Sequence, residues 1–268
     1  MDLADSGIAL LIGLVAGVVG GLAGIGGSIV MIPALGLVFG YTYASDNQAP
    51  EQHLYAAAAM CVNVVVALAS SRKHKDEGAL DTTVRNRLIP GMLVGIVGGV
   101  WLSNQLDGRP LKQLMALFLF GFVAWTLFQT VRGLPERSLD DARTSWKRIG
   151  PIGAGTGVLA GLLGIGGGIV MVPLMQVICR MQLRRAIATS AAVMWVSAGL
   201  GAAMKVWTLP EHSQSRVAAL SIAGAMAVGA VAGAPLGAWM THRLKLPALR
   251  VVISVILALG GGRAAGWW

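Results

Sequence analysis

The chain has 268 residues and a net charge of +9, with only 12% charged residues against 55% hydrophobic ones. An ordinary soluble domain carries roughly 25% charged residues, so this composition excludes a water-soluble enzyme and points to an integral membrane protein. The excess Lys and Arg sit in short loops between apolar segments, where they orient a chain in its bilayer; no basic face interleaved with aromatics occurs, which argues against a nucleic-acid partner.

Met1 to Ser6 hold Asp2 and Asp5 and no basic residue, so they lack the positive leader of a secretory signal, and the first apolar segment is expected to stay. Four apolar segments follow in the first half, at about Ile8–Tyr41, Leu54–Ser71, Leu88–Leu106 and Leu111–Val131. A polar stretch, 132–148, links them to four more at about Ile149–Ile178, Arg185–Leu209, Val217–Met240 and Pro247–Ala265. Each segment approaches or exceeds the about 20 helical residues that cross a hydrocarbon core.

The halves repeat one another. Gly20-Gly21-Leu22-Ala23-Gly24-Ile25-Gly26-Gly27-Ser28-Ile29-Val30-Met31-Ile32-Pro33 is nearly restated as Ala160-Gly161-Leu162-Leu163-Gly164-Ile165-Gly166-Gly167-Gly168-Ile169-Val170-Met171-Val172-Pro173. Gly95–Gly99 likewise resembles Gly229–Gly233, both spaced for close helix contact. The expected organisation is a first transmembrane repeat (1–131), a polar linker (132–148) and a second repeat (149–268).

The first segment of each repeat is too long for one straight crossing. Roughly thirty residues at 1.5 Å each reach about 45 Å, against a core of about 30 Å. The glycines fall near the middle, which predicts two half-helices joined by a Gly-rich turn and entering and leaving on one side; a tilted, kinked span is the competing arrangement. Loop charge favours the hairpins. With them, the loops holding Arg72, Lys73, Lys75, Arg85 and Arg87, then Arg180, Arg184 and Arg185, then Arg243, Lys245 and Arg250, fall on the inner side together with the linker. Only Arg109, Lys112, Lys205, Arg216 and Arg263 remain outside. Each repeat then makes three full crossings, so the two have opposite orientation, an inverted repeat of the kind secondary transporters use.

Candidate binding residues are few. The clusters Gly24, Ile25, Gly26, Gly27, Ser28 and Gly164, Ile165, Gly166, Gly167, Gly168 leave backbone amides reachable where a helix starts, and unpaired N–H groups together with the helix dipole favour an anion. Isolated glycines such as Gly13, Gly17, Gly98 and Gly237 read as packing positions. Asn63, Thr189, Ser190 and Ser197 lie on the segments following the hairpins and can donate to anion oxygens; the bland alternative is helix packing or a bond back to the preceding turn. Polar groups within the segments are otherwise few: Ala188-Thr189-Ser190 is set against Ala59-Met60-Cys61 in the first half.

All twelve carboxylates fall in loops or at segment ends, so a buried acid relay is not expected. Lys205 lies late enough in its segment to snorkel, and His53 and His242, at segment ends, read as solvated. Cys61 and Cys179 are single residues, and neither a disulfide framework, a metal spacing nor a cofactor motif occurs, so no cofactor is expected. A membrane enzyme or assembly subunit is disfavoured because no nucleophile stands beside a base. An anion transporter and an anion channel remain, and small-residue faces would permit a homodimer.

The repeated G-x-G-G-(S/G)-x-V-x-x-P block, the Ala-Thr-Ser run and the charged loop Arg72 to Asp81 together resemble the sulfite exporter TauE/SafE family over the whole chain. The resemblance implies a permease of the bacterial or archaeal cytoplasmic membrane that moves small sulfur-containing anions such as sulfite, sulfoacetate, thiosulfate or related organosulfonates, often outward. The family's glycine motifs match Gly24–Ser28 and Gly164–Gly168, and its threonine-serine pair matches Thr189 and Ser190. The first half departs from that pair with Met60 and Cys61.

Overall fold

A computed structural model describes residues 3–40, 51–131 and 144–244, with Val255. The expected last segment, and most of the linker, lie outside the described residues. Those described are helical, without strands: α1 (Leu3–Ala23), α2 (Ser28–Val38), α3 (Glu51–Asp76), α4 (Thr82–Asn104), α5 (Gly108–Val131), α6 (Trp146–Leu163), α7 (Gly168–Val177), α8 (Leu183–Thr208), a 3-10 turn (Leu209–His212) and α9 (Arg216–Arg243). Among them, α1, α3, α4, α9 and α8 with its 3-10 turn are long and apolar enough to cross a membrane.

The helices outrun the apolar segments because polar residues continue and then cap them. α3 extends through Lys73 and Lys75 to Asp76 before Gly78 turns the chain at φ +69°. Asp81 Oδ1 then accepts the Val84 amide at 3.0 Å and starts α4, satisfying one of the free N–H groups at a helix start.

Both long first segments are broken at the duplicated glycines, and the pieces are unequal. α1 has 21 residues and α2 has 11; α6 has 18 and α7 has 10. The break lies past the middle because the helix begins earlier than the apolar run. Gly24 and Gly26 adopt φ of +65° and +76°, and Gly164, Gly166 and Gly167 adopt +73°, +71° and +88°. Side chains rarely occupy that region, so glycine is what lets each helix break and the next one start within four residues.

Each half packs on the other. α1 lies along α9, with Gly13, Gly17 and Gly21 against the backbone of Met226, Ala230 and Ala234; α6 lies along α4, with Gly91, Gly95 and Gly99 against Gly150, Ala154 and Val158. The small residues are needed where backbones meet this closely. Gly98 is different from the expectation: a side chain there would meet nothing within 4 Å, since it faces away from α6. At the centre α3 crosses α8.

The bundle has two chemically distinct ends. At one end the Tyr55 hydroxyl donates to Gly40 O at 2.6 Å, His53 Nε2 donates to Leu106 O at 3.1 Å, and Thr208 approaches Asn104. This end gathers the start of α3, the far end of α2 and the ends of α4 and α8. At the other, His74 Nε2 donates to Gly21 O at 3.1 Å, His74 Nδ1 lies 3.0 Å from His242 Nε2, Thr241 Oγ1 donates to Leu22 O at 2.6 Å, and Arg184 donates to Leu244 O. Arg72, Lys73, Lys75, Arg85, Arg184, Arg185 and Arg243 cluster at this second end.

Candidate functional site

The two breaks meet. A Cβ on Gly168 would press into Gly24 O and stand 2.5 Å from Ile25 Cα, so the start of α7 touches the turn that precedes α2. Gly24 and Gly164 diverge from this junction toward opposite ends. A Cβ on Gly24 would lie 2.5 Å from Ile187 O, near the start of α8, whereas one on Gly164 would lie 2.6 Å from Ala56 Cβ, near the start of α3.

Asn63 and Met194, from the crossing helices α3 and α8, fill the centre. Positions for a Cβ on Gly26 and on Gly166 both lie 3.0 Å from Met194 Sδ, and they lie 2.8 and 2.9 Å from the two ends of the Asn63 amide. Asn63 Oδ1 accepts the Gly27 amide at 2.8 Å, and its Nδ2 donates to Ser28 Oγ. The amide therefore satisfies the start of α2. Gly167, at the start of α7, has no side chain with which to cap that helix, and the residue corresponding to Asn63 is a thioether.

Of the other residues picked from sequence, Ser190 reaches the junction, with Oγ donating to Gly24 O at 2.9 Å. Thr189 turns away from it and accepts the Asp81 amide at 3.3 Å, tying α8 to the start of α4. Ser197 bonds Met194 O at 3.1 Å within its own helix. The contacts pair Ala56 with Ile187 and Asn63 with Met194, a register that sets Ala59 opposite Ser190. Met60 instead packs on Gly201, and Cys61 is half-buried.

Sequence reasoning missed Thr156. Its methyl lies against Gly167, 3.1 Å from where a Cβ would stand, and its hydroxyl is buried with no hydrogen-bond partner. Comparison of the halves carries the signal, since the first break meets Ala16 at the matching place. A hydroxyl with an unmet bond, beside an uncapped helix start, can donate to an anion.

The junction is closed to solvent. Ile25, Ser28, Asn63, Thr156, Ile165 and Ser190 are each at most 2% exposed. No Asp or Glu belongs to the buried polar set among the described residues, and no group of His, Cys, Asp and Glu there could hold a metal. An apolar groove of about 470 Å³ between α5 and α7, lined by Leu117, Phe118, Val170, Pro173 and Leu174, offers an anion no donor.

Spanning-length helices packed around two abutting helix breaks, with donors and no acid at their meeting point, define a multi-pass membrane transporter. The chain belongs to the sulfite exporter TauE/SafE family, whose description, "Sulfite exporter TauE/SafE", matches residues 9–264. It is 25% identical to a probable membrane transporter protein of Methanocaldococcus jannaschii, over 94% of this chain and 92% of that protein. It is 24% identical to the probable membrane transporter protein YunE of Bacillus subtilis, over 95% of each. The probable membrane transporter protein MamO of Paramagnetospirillum magneticum is 24% identical over 93% of this chain, which spans 42% of MamO. No solved structure matches. The protein is a transporter and not an enzyme.

Proposed function

We propose that the protein exports sulfite or a small organosulfonate across the cytoplasmic membrane by alternating access of two inverted repeats around the paired breaks. The observation that carries this reading is the contact of Gly168 with Gly24 and Ile25, which brings the starts of α2 and α7 to one buried place. Helix starts attract negative charge through their free amides and dipole. Asn63, Ser28 and Thr156 add neutral donors around it, and Ser190, whose hydroxyl is given to Gly24 O, braces the turn. Without a fixed cation at the junction an anion is held through several weak bonds, and it can leave.

The arrangement of the ends supports re-entrant hairpins. α2 finishes beside the start of α3, while α1 runs alongside α9 from the same end. α6 and α7 follow the opposite direction beside α4 and α8. The helix pairs exchange roles between the halves, α1 on α9 matching α6 on α4 and α3 on α9 matching α8 on α4. The cluster of Lys and Arg at the second end supports a cytoplasmic position for that end. The closed junction supports a carrier over a channel, because a continuous pore would keep its lining wet.

The test is flux of radiolabelled sulfite, sulfoacetate and thiosulfate in proteoliposomes, with and without unlabelled anion on the far side. A carrier gives saturable flux accelerated by trans anion. Flux that never saturates and ignores trans anion would establish a channel, net uptake against the imposed gradient would establish an importer, and movement of only an unrelated solute would reject the anion reading.

A further inference from the structure

A second basic, polar cluster lies at the end of the bundle away from the Lys and Arg belt. Lys205, in the last turn of α8, is 3% exposed and donates to Ser103 Oγ of α4 at 2.8 Å. It does not snorkel. No carboxylate among the described residues lies within ion-pair distance of it; the one ion pair among them joins Lys73 to Glu77. His53, 4% exposed on α3, stacks on His212 of the 3-10 turn with ring centroids 3.7 Å apart and planes 6° from parallel. His53 already uses Nε2 on Leu106 O. His212 Nε2 is buried and has no hydrogen-bond partner.

A buried ammonium without a counter-ion is costly, and so is a buried ring nitrogen without a partner. The two pairs adjoin at the end of α4: Leu106, whose carbonyl accepts from His53, donates its amide to Ser103 O at 3.2 Å, and Ser103 holds Lys205. One ligand would answer these needs together: a small oxyanion, with several acceptor oxygens and a negative charge. Charge-assisted bonds to such a group are about twice as strong as neutral ones.

We propose that Lys205, Ser103, His53 and His212 form a second anion site, separate from the paired breaks, which takes a small free oxyanion at the charge-poor end of the transporter. Lys205 lies eleven residues beyond Met194 on the same helix, about 16 Å along its axis. The site therefore stands between the central junction and the membrane surface, where it collects an anion leaving or approaching. A lipid phosphate offers the same oxygens, but Lys205 and Ser103 are buried beneath the helix ends, out of reach of a headgroup tethered to its acyl chains.

The test is sulfite binding by calorimetry to the detergent-purified full chain, on wild type, Lys205→Met, Lys205→Arg and His212→Gln, with Gly26→Leu and Gly166→Leu alongside and folding checked by thermal melts. The proposal requires a binding event that Lys205→Met weakens at least tenfold, His212→Gln weakens several-fold and Lys205→Arg largely keeps, and that persists in the glycine variants. If Lys205→Met does not fold, the contrast between Lys205→Arg and His212→Gln decides. Wild-type affinity and stoichiometry in Lys205→Met and His212→Gln would overturn the second site while leaving the central one intact; binding lost only in the lysine and histidine variants would keep it and reject the central one. Displacement of sulfite by added phosphatidylglycerol in wild type, absent in Lys205→Met, would assign the cluster to lipid and overturn the free-anion proposal.

Discussion

Replacing Asn63 with leucine separates the structural and functional roles assigned to the junction. Leucine has similar bulk but removes the acceptor for the Gly27 amide and the donor to Ser28 Oγ. A buried N–H left unsatisfied costs about 1–3 kcal/mol, and loss of the second bond adds about 1 kcal/mol. Asn63→Leu should therefore cost about 2–4 kcal/mol. At about 2–4 °C per kcal/mol for a chain of this size, the melting temperature in detergent should fall by roughly 5–15 °C. The Asn63 amide also stands beside Gly166, so if the anion binds where proposed, a donor to it disappears as well. Hydrogen bonds to charged groups contribute about 1.5–3 kcal/mol, which makes sulfite binding roughly tenfold to a hundredfold weaker. The companion Met194→Leu removes no hydrogen bond and conserves volume, and its cost should stay below about 1.5 kcal/mol. Thermal melts and binding isotherms on the two variants provide the comparison. An Asn63→Leu protein that melts within two degrees of wild type and binds sulfite within about twofold, on the scale where 1.4 kcal/mol is tenfold, would refute the reasoning.

Other consequences are simpler. Thr156→Val removes a hydroxyl that has no partner, so the melting temperature should hold or rise while sulfite binding weakens several-fold; weakened folding with unchanged binding would place the hydroxyl in the scaffold. Gly95→Leu drives a side chain into Ala154 O and to 2.9 Å from Val158 N, and such overpacking should cost about 1–3 kcal/mol or more. Gly98→Leu, facing open space, should hold or gain stability because leucine is the better helix former by about 1 kcal/mol; equal losses in the two melts would contradict the helix pairing. Cys179 is fully buried and burial pushes its thiol pKa up, against the opposing pull of Arg148. Because the thiolate is the reactive form, in a Cys61→Ser background maleimide should label Cys179 only after denaturation, and prompt labelling of the folded protein at pH 7 would contradict that burial.

The glycine breaks were legible because a glycine cluster inside an apolar run has no other inexpensive use, and because the run was too long for one crossing. Helix packing at Gly95 and Gly229 was legible for a related reason: a four-residue spacing of small residues marks one helix face. Contacts between distant elements were not. Nothing local to Thr189 and Ser190 says that one side chain turns to Asp81 and the other to Gly24, because the direction depends on how α8 crosses α3. Thr156 lies among helix-packing glycines in the sequence, and only the fold brings Gly167 beside it. The burial of Lys205 is hidden from the sequence for a similar reason. Its position near a segment end suggested snorkelling, but α4 delivers Ser103 to its amine and closes over it. His53 and His242, expected in solvent, are each held by another histidine across the bundle.

The most direct test of the central claim is sulfite binding to purified Gly168→Ala, measured against wild type on protein shown to be folded. A single methyl at this position collides with the backbone of Gly24 and Ile25, so it forces the two breaks apart without changing charge. If the anion is held where the breaks meet, Gly168→Ala binds at least tenfold more weakly, whereas wild-type binding in the folded variant would mean that the anion site lies elsewhere.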